Sequence, residues 1–262
     1  MRVAPVERQH GLGPARSRAP RPGPLSPPSS RSRPQPLPPN PPPPKKTKTQ
    51  LGSTAIGIAT PEGVVLAVEK RVTSTLLDPA SIHKVAEIDA HVGCAVSGLT
   101  ADAKTLVDHA RAEAQQHRFS YNEPMPVESL TQSLCDLAMR FGEDDDDGGG
   151  GGMSRPFGVA LLIAGHDPSD GPVLYHTDPS GTYVKYKAMA IGSGAEGAQT
   201  ALQDKWRADL TLAEAEDLAL GTLKQAMEER VTASNVDVVR VAAPAGYHLY
   251  TEEEVTALIA RL

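Results

Sequence analysis

Cysteine is scarce in this chain: Cys94 and Cys135 are the only two in 262 residues. Two cysteines in a chain of that length exclude a disulfide framework and point to a reduced compartment. Cys94 sits in an apolar run and reads as a small buried hydrophobe. Long hydrophobic runs are missing as well. None approaches the roughly 20 residues a membrane-spanning helix needs. The first residues also lack the apolar stretch of a secretory signal. Together these absences lead to the expectation of a soluble, intracellular chain.

Other shortages are local. No aromatic residue precedes Phe119, and residues 1–50 hold one acid, Glu7, against ten Lys or Arg. Fifteen of the 24 prolines fall in the same fifty residues. A segment with so little to bury cannot offset its ordering entropy. Residues 1–50 are therefore expected to be a disordered Pro/Arg-rich extension, and residues 51–262 one folded domain. An Arg-rich, acid-poor start would also suit an organelle transit peptide. The four prolines at 41–44 argue against this, because they favour polyproline II over an amphipathic helix. The chain as a whole carries −6, so everything after the basic arm is acidic.

The folded part opens with strand patterns. Small and β-branched residues at 53–59, a Pro61-Glu62-Gly63 turn and the run 64–68 predict a hairpin. Residues 85–89 and 91–97 predict a second one. Their apolar residues are nearly continuous, which requires a sheet covered on both faces. Helical spacing follows at Ala103, Leu106, Ala110 and Ala114, with Thr100 as N-cap. It recurs at Val127, Leu130, Leu134, Leu137 and Phe141. Strands are expected at 158–164, 173–176 and 183–187, then a helix over 195–202. Thr211 and Thr251 each stand three residues before a glutamate, the spacing of a capping box, and so open two more helices around a strand at 236–241. Helices segregated from strands with two apolar faces predict an α+β fold, two stacked sheets between helical layers, αββα.

Several chemical readings fall away. Acids and glycines at 143–152 form a flexible, solvated loop. The four adjacent carboxylates at 144–147 do not converge on one cation without a shaped loop. His109 and His117 could share a helix face but have no third ligand, and read as solvated helix residues. The glycines at 148–152 lack the lysine and the flanking strand and helix of a phosphate loop. Asp136 and the Glu228-Glu229-Arg230 run read as solvated faces. No cofactor and no metal are expected.

One series of motifs carries more. Gly52-Ser-Thr-Ala-Ile-Gly-Ile, Gly63-Val-Val-Leu-Ala-Val-Glu-Lys-Arg and Ser81-Ile-His-Lys-Val-Ala-Glu-Ile-Asp stand in order. Ser97-Gly-Leu-Thr-Ala-Asp-Ala, Ser154-Arg-Pro-Phe-Gly-Val-Ala, Asp178-Pro-Ser-Gly and Ile191-Gly-Ser-Gly-Ala-Glu-Gly-Ala follow. The series resembles proteasome alpha subunits, collinearly over residues 51–262. Met153 with the motif after it, and the acids before it, resemble the type 5 branch. The resemblance implies a four-layer fold of the N-terminal nucleophile hydrolase type. It also implies a non-catalytic subunit in a seven-membered alpha ring, stacked on beta-ring subunits and docking ATPase regulatory caps or other activators. Its setting would be ubiquitin-dependent degradation in cytoplasm and nucleus.

The same fold hosts peptidases whose first residue is both nucleophile and base. On that alignment Ser53 takes the nucleophile position, Glu69 the carboxylate and Lys84 the lysine. These positions are expected to be vestigial. The family's second catalytic carboxylate falls on Val231, which can orient nothing, and Ser53 lies in an apolar strand where a hydroxyl can simply satisfy a backbone group. A self-processing peptidase with Ser53 as nucleophile is the alternative. The resemblance gives Lys84 another role, in a pocket between neighbouring subunits, with Gly52 and Leu99, that receives the terminal carboxylate of activator tails. An ammonium suits such capture; the plain alternative is a surface lysine at a strand start.

The family's gating tail, with Tyr-Asp-Arg, and its Gly-Arg-Leu-x-Gln-Val-Glu-Tyr helix have no counterpart here. Pro/Arg-rich sequence stands in their place, which puts pore closure and ring entry in question. A misjoined first exon, a gate variant and a chain outside the ring are all compatible with it. The basic arm offers a further alternative, an interaction module using its prolines for aromatic grooves. It has no aromatic stacking platform, so specific nucleic-acid reading is not expected, nor is membrane binding.

Overall fold

The computed structural model describes residues 52–71, 76, 78, 81–140, 155–227 and 229–262. The extension expected over 1–50 and the loop expected over 143–152 lie outside the described residues. Four strands come first: β1 (Ala55–Ala59), β2 (Gly63–Glu69), β3 (Val85–Asp89) and β4 (Val92–Gly98). Helices α1 (Thr100–Tyr121) and α2 (Val127–Met139) follow. Strands β5 (Val159–Asp167), β6 (Gly171–Thr177), β7 (Tyr183–Tyr186) and β8 (Ala188–Ile191) lead to α3 (Ala195–Lys205) and α4 (Leu212–Ala226). The fold closes with β9 (Val236–Ala242), β10 (Gly246–Leu249) and α5 (Glu252–Ala260).

The strands form two five-stranded antiparallel sheets, ordered β10-β9-β2-β1-β8 and β3-β4-β5-β6-β7. Strand alternation sorts the core into three apolar layers. On β2, Val65 and Ala67 pack with Leu202, Leu220 and Leu223 of α3 and α4. The alternate residues Val64, Leu66 and Val68 meet Leu162 and Leu174 of the other sheet. On β5, Leu161 and Ile163 turn instead to Leu106, Leu130 and Leu134 of α1 and α2. Helix, sheet, sheet, helix is thus the arrangement expected from the doubly apolar strands.

Both capping boxes form, Thr211 with Glu214 and Thr251 with Glu254. Thr100 differs from expectation. It is the first helical residue of α1, Leu99 is the N-cap, and no side chain caps there. Instead Asp102, in the first turn, places its carboxylate near the helix's positive end. At α2 the end is closed from a distance, with the Val127 amide donating to Asp167 Oδ1 of β5 at 3.0 Å.

Two strands escaped the sequence reading. The strand expected at 183–187 forms as β7, but past Lys187 a further strand, β8, follows at once and joins the other sheet. Strand β10 is half-buried throughout, so it shows no alternation to read. His109 and His117 are half-buried, not solvated. His109 Nε2 lies 3.3 Å from Ser133 Oγ, and the His117 ring packs 4.7 Å from Tyr121. Burial pushes the Cys94 thiol up to about 12 and the Cys135 thiol up to about 11, so both are inert packing groups. Among the described residues no helix is long and apolar enough to cross a membrane.

Candidate functional site

The last residues of β4 gather the positions the sequence singled out. Gly52 lies against them so closely that a Cβ there would stand 2.4 Å from Ser97 Oγ and 2.5 Å from the Gly98 nitrogen. The Gly52 carbonyl accepts from the Ser193 amide at 3.0 Å, and the next carbonyl, that of Ser53, accepts from Ser97 Oγ at 2.8 Å. The entering chain is therefore pinned between β4 and the end of β8. The hydroxyl that closes this junction is that of Ser97. Gly98 has φ +131°. That turn delivers Leu99, whose amide donates to the Gly158 carbonyl at 3.0 Å.

Lys84 reaches the same segment from the neighbouring strand. Its carbonyl accepts from the Val96 amide at 2.9 Å, and its Nζ lies 3.4 Å from Thr100 Oγ1. Gly52, Lys84 and Leu99 thus converge on the five residues from Val96 to Thr100. They open on different spaces. Leu99 lines a cavity of about 870 Å³ with Phe157, Met189 and Ile191. Lys84 lines a smaller one of about 180 Å³ between β3 and α1. Burial, and then the Arg71 charge, lower the pKa of the Lys84 ammonium.

Glu69 is occupied elsewhere. Its Oε2 accepts from the Thr54 amide at 3.0 Å, and Arg71 Nε donates to Oε1 at 3.1 Å. The same guanidinium also reaches Ser193 Oγ. Among the described residues, no hydrogen bond or ion pair joins any two of Ser53, Glu69 and Lys84. A carboxylate that should hold the lysine holds an arginine, which cannot deliver a proton near neutrality. Val231 is buried in the apolar layer beneath α4. The parts of the nucleophile mechanism are present as residues but not as a connected constellation.

Sequence reading missed the group that seats Lys84. Asp237 of β9 is buried and accepts from the Lys84 amide at 3.3 Å through Oδ2. Its Oδ1 pairs with Lys70 Nζ at 2.9 Å, and both of these side chains are almost fully buried. The available signal was an acid within an apolar strand and a lysine at the end of another, since a buried charge demands a partner. A second missed group is Asp102. Both of its oxygens accept from Arg155 at 2.8 Å, and Oδ2 also takes the Gly158 amide at 2.9 Å. This clamp fixes the approach to β5 beside Leu99.

A sequence profile of proteasome subunits matches residues 49–241. This chain belongs to the proteasome subunit family. Among curated relatives, a probable proteasome subunit alpha type-5 of Schizosaccharomyces pombe is 56% identical over 212 residues, 81% of this chain and 85% of the relative. The alpha type-5 subunit of Dictyostelium discoideum is 58% identical over 208 residues, 79% of this chain and 86% of the relative. That of Drosophila melanogaster is 55% identical over 206 residues, covering 79% and 84%. The two stacked antiparallel sheets between helices agree with a proteasome-family fold of the N-terminal nucleophile type.

Within this proteasome-family fold the Asp102–Arg155 clamp makes stability depend on acid. The hydrogen bond from Arg155 is the main cause holding the Asp102 carboxyl below its ordinary range. A depressed folded value means stabilisation present above the unfolded value, about 3.9, and lost as pH falls through the folded one. Asp102→Asn is expected to lower the urea midpoint at pH 7, with the deficit shrinking below about pH 4. A deficit unchanged down to strong acid would contradict this.

Proposed function

We propose that this chain is a non-catalytic alpha-ring subunit of the proteasome core particle. In this reading it takes its place in a seven-membered alpha ring stacked on beta subunits. It contributes to gating and cap docking in ubiquitin-dependent degradation, in cytoplasm and nucleus. The observation that carries the reading is the high identity to alpha type-5 relatives over four-fifths of the chain. The engagement of Glu69 by Arg71 and the Thr54 amide supports the non-catalytic part. Affinity purification of the tagged full-length chain tests it: the other alpha and beta subunits should co-purify in an assembled particle. A chain that never leaves the monomer fraction would overturn it.

Within this role Lys84 is the docking residue for the terminal carboxylate of cap tails, while Gly52 and Leu99 set the course of the segment from Val96 to Thr100 that Lys84 borders. Gly52 permits the close approach to β4, and Thr100 steadies the ammonium. Lys84→Ala is expected to weaken binding of ATPase caps by about ten-fold while the particle still assembles, because a partly desolvated charge pair is lost. Equal cap binding by the variant particle in a native-gel titration would remove this role.

A further inference from the structure

The cavity holding Lys84 does not end at that residue. It continues between β3 and α1, over a floor that includes Val96 and Val107, to a rim carrying Lys104 and Arg111. Lys104 follows Thr100 by four residues on α1, so the two share one helix face about 6 Å apart along the axis. It is exposed, and among the described residues it forms no ion pair. Arg111 is anchored at the far end, where its Nε donates to the Glu87 carbonyl at 2.9 Å. A guanidinium has five donors, so others remain for a ligand. One acid, Asp108, faces this rim, 3.6 Å from Arg111 and half-exposed. His83 also lines the cavity. The Arg71 charge also acts on Lys84. The groove is apolar below and positive above.

We infer that tail docking extends along this groove, with Lys104 and Arg111 selecting partner tails that carry an acidic side chain about three residues before the terminal carboxylate. The inference rests on the docking role given to Lys84 above. The spacing comes from β3 itself. From Lys84 to Glu87, the level at which Arg111 is anchored, is three strand residues, about 10 Å. A peptide lying extended beside the strand advances at the same rise. With its terminal carboxylate at Lys84, its third residue upstream arrives at Arg111 and passes Lys104. Charge complementarity therefore calls for Asp or Glu there.

Fluorescein-labelled alanine heptapeptides, titrated by anisotropy at low salt into core particles assembled with the full-length chain or its variants, test this. One has Glu three residues before a free C-terminus, one has Gln there, and one has the same Glu with an amidated C-terminus. The Glu peptide should bind about three- to five-fold tighter than the Gln peptide, the scale of exposed pairs. That preference should disappear in Lys104→Ala and shrink in Arg111→Gln, while Lys84→Ala should abolish the preference for a free C-terminus. A double-mutant cycle between peptide Glu and Lys104 isolates the coupling. Equal binding of Glu and Gln peptides, with the amide still weaker, would overturn the acidic subsite and leave Lys84 docking intact. Indifference to both changes, or no binding, would overturn both. A short single-stranded oligonucleotide binding as tightly, and equally sensitive to Lys104→Ala, would mark the groove as a general anion surface and overturn selectivity for tails.

Discussion

Asp237→Ala will cost the fold roughly 3–5 kcal/mol, because it strands the Lys70 ammonium without a partner in the interior. The pair is almost wholly excluded from water, with Nζ and Oδ1 2.9 Å apart. Removing both charges should be far milder. A Lys70→Met, Asp237→Leu double variant is expected to regain most of the loss, since apolar residues of similar size avoid the desolvation penalty. Urea unfolding of the full-length chain measures both. A cost under about 1 kcal/mol for Asp237→Ala would mean that water or another group relieves Lys70. The consequence reaches the docking site. Asp237 Oδ2 also accepts from the Lys84 amide, so it joins β9 to the residue just before β3. The single variant should weaken cap binding even under conditions where it stays folded.

Gly98→Ala is the second large effect. At φ +131° an L side chain is strained whatever surrounds it, and the new Cβ would stand 2.3 Å from the Gly158 carbonyl oxygen. The obstacle is backbone just before β5, not the end of a flexible side chain. Strain of this kind costs about 1–3 kcal/mol, and displacing β5 adds to it. The same residue sets the direction in which Leu99 leaves β4. The variant should therefore show both a lower urea midpoint and disturbed docking of C-terminal tails. Ser97→Ala serves as a local control. It removes the hydroxyl donated to the Ser53 carbonyl without strain, and about 1 kcal/mol is expected. Equal effects of the two substitutions would show that the turn at Gly98 is not decisive.

Both predictions turn on contacts that join distant parts of the chain, and this separates what could be read early from what could not. Local signals gave reliable elements. The Thr211…Glu214 and Thr251…Glu254 spacings mark helix starts because the capping box involves only four consecutive residues. The doubly apolar strands required two covered faces, and the three apolar layers supply them. Local signals failed where burial was partial. Strand β10 has no alternation, and the stretch from Tyr183 to Ile191 gives no hint that it crosses from one sheet to the other at Lys187.

For the candidate site, Gly52, Ser53, Glu69, Lys84 and Leu99 were legible along the chain, in an order that matches the proteasome family. So was Val231, which stands where a second carboxylate would be needed. How they are connected depends on contacts between distant segments. Glu69 turns to Arg71 and Thr54, Lys84 turns to Thr100, and Asp237 closes on Lys70 from a strand more than 160 residues away in sequence. A charged side chain takes the nearest partner that offsets its lost hydration. Nearness of that kind is set by the stacking of the two sheets, which no local stretch of sequence records.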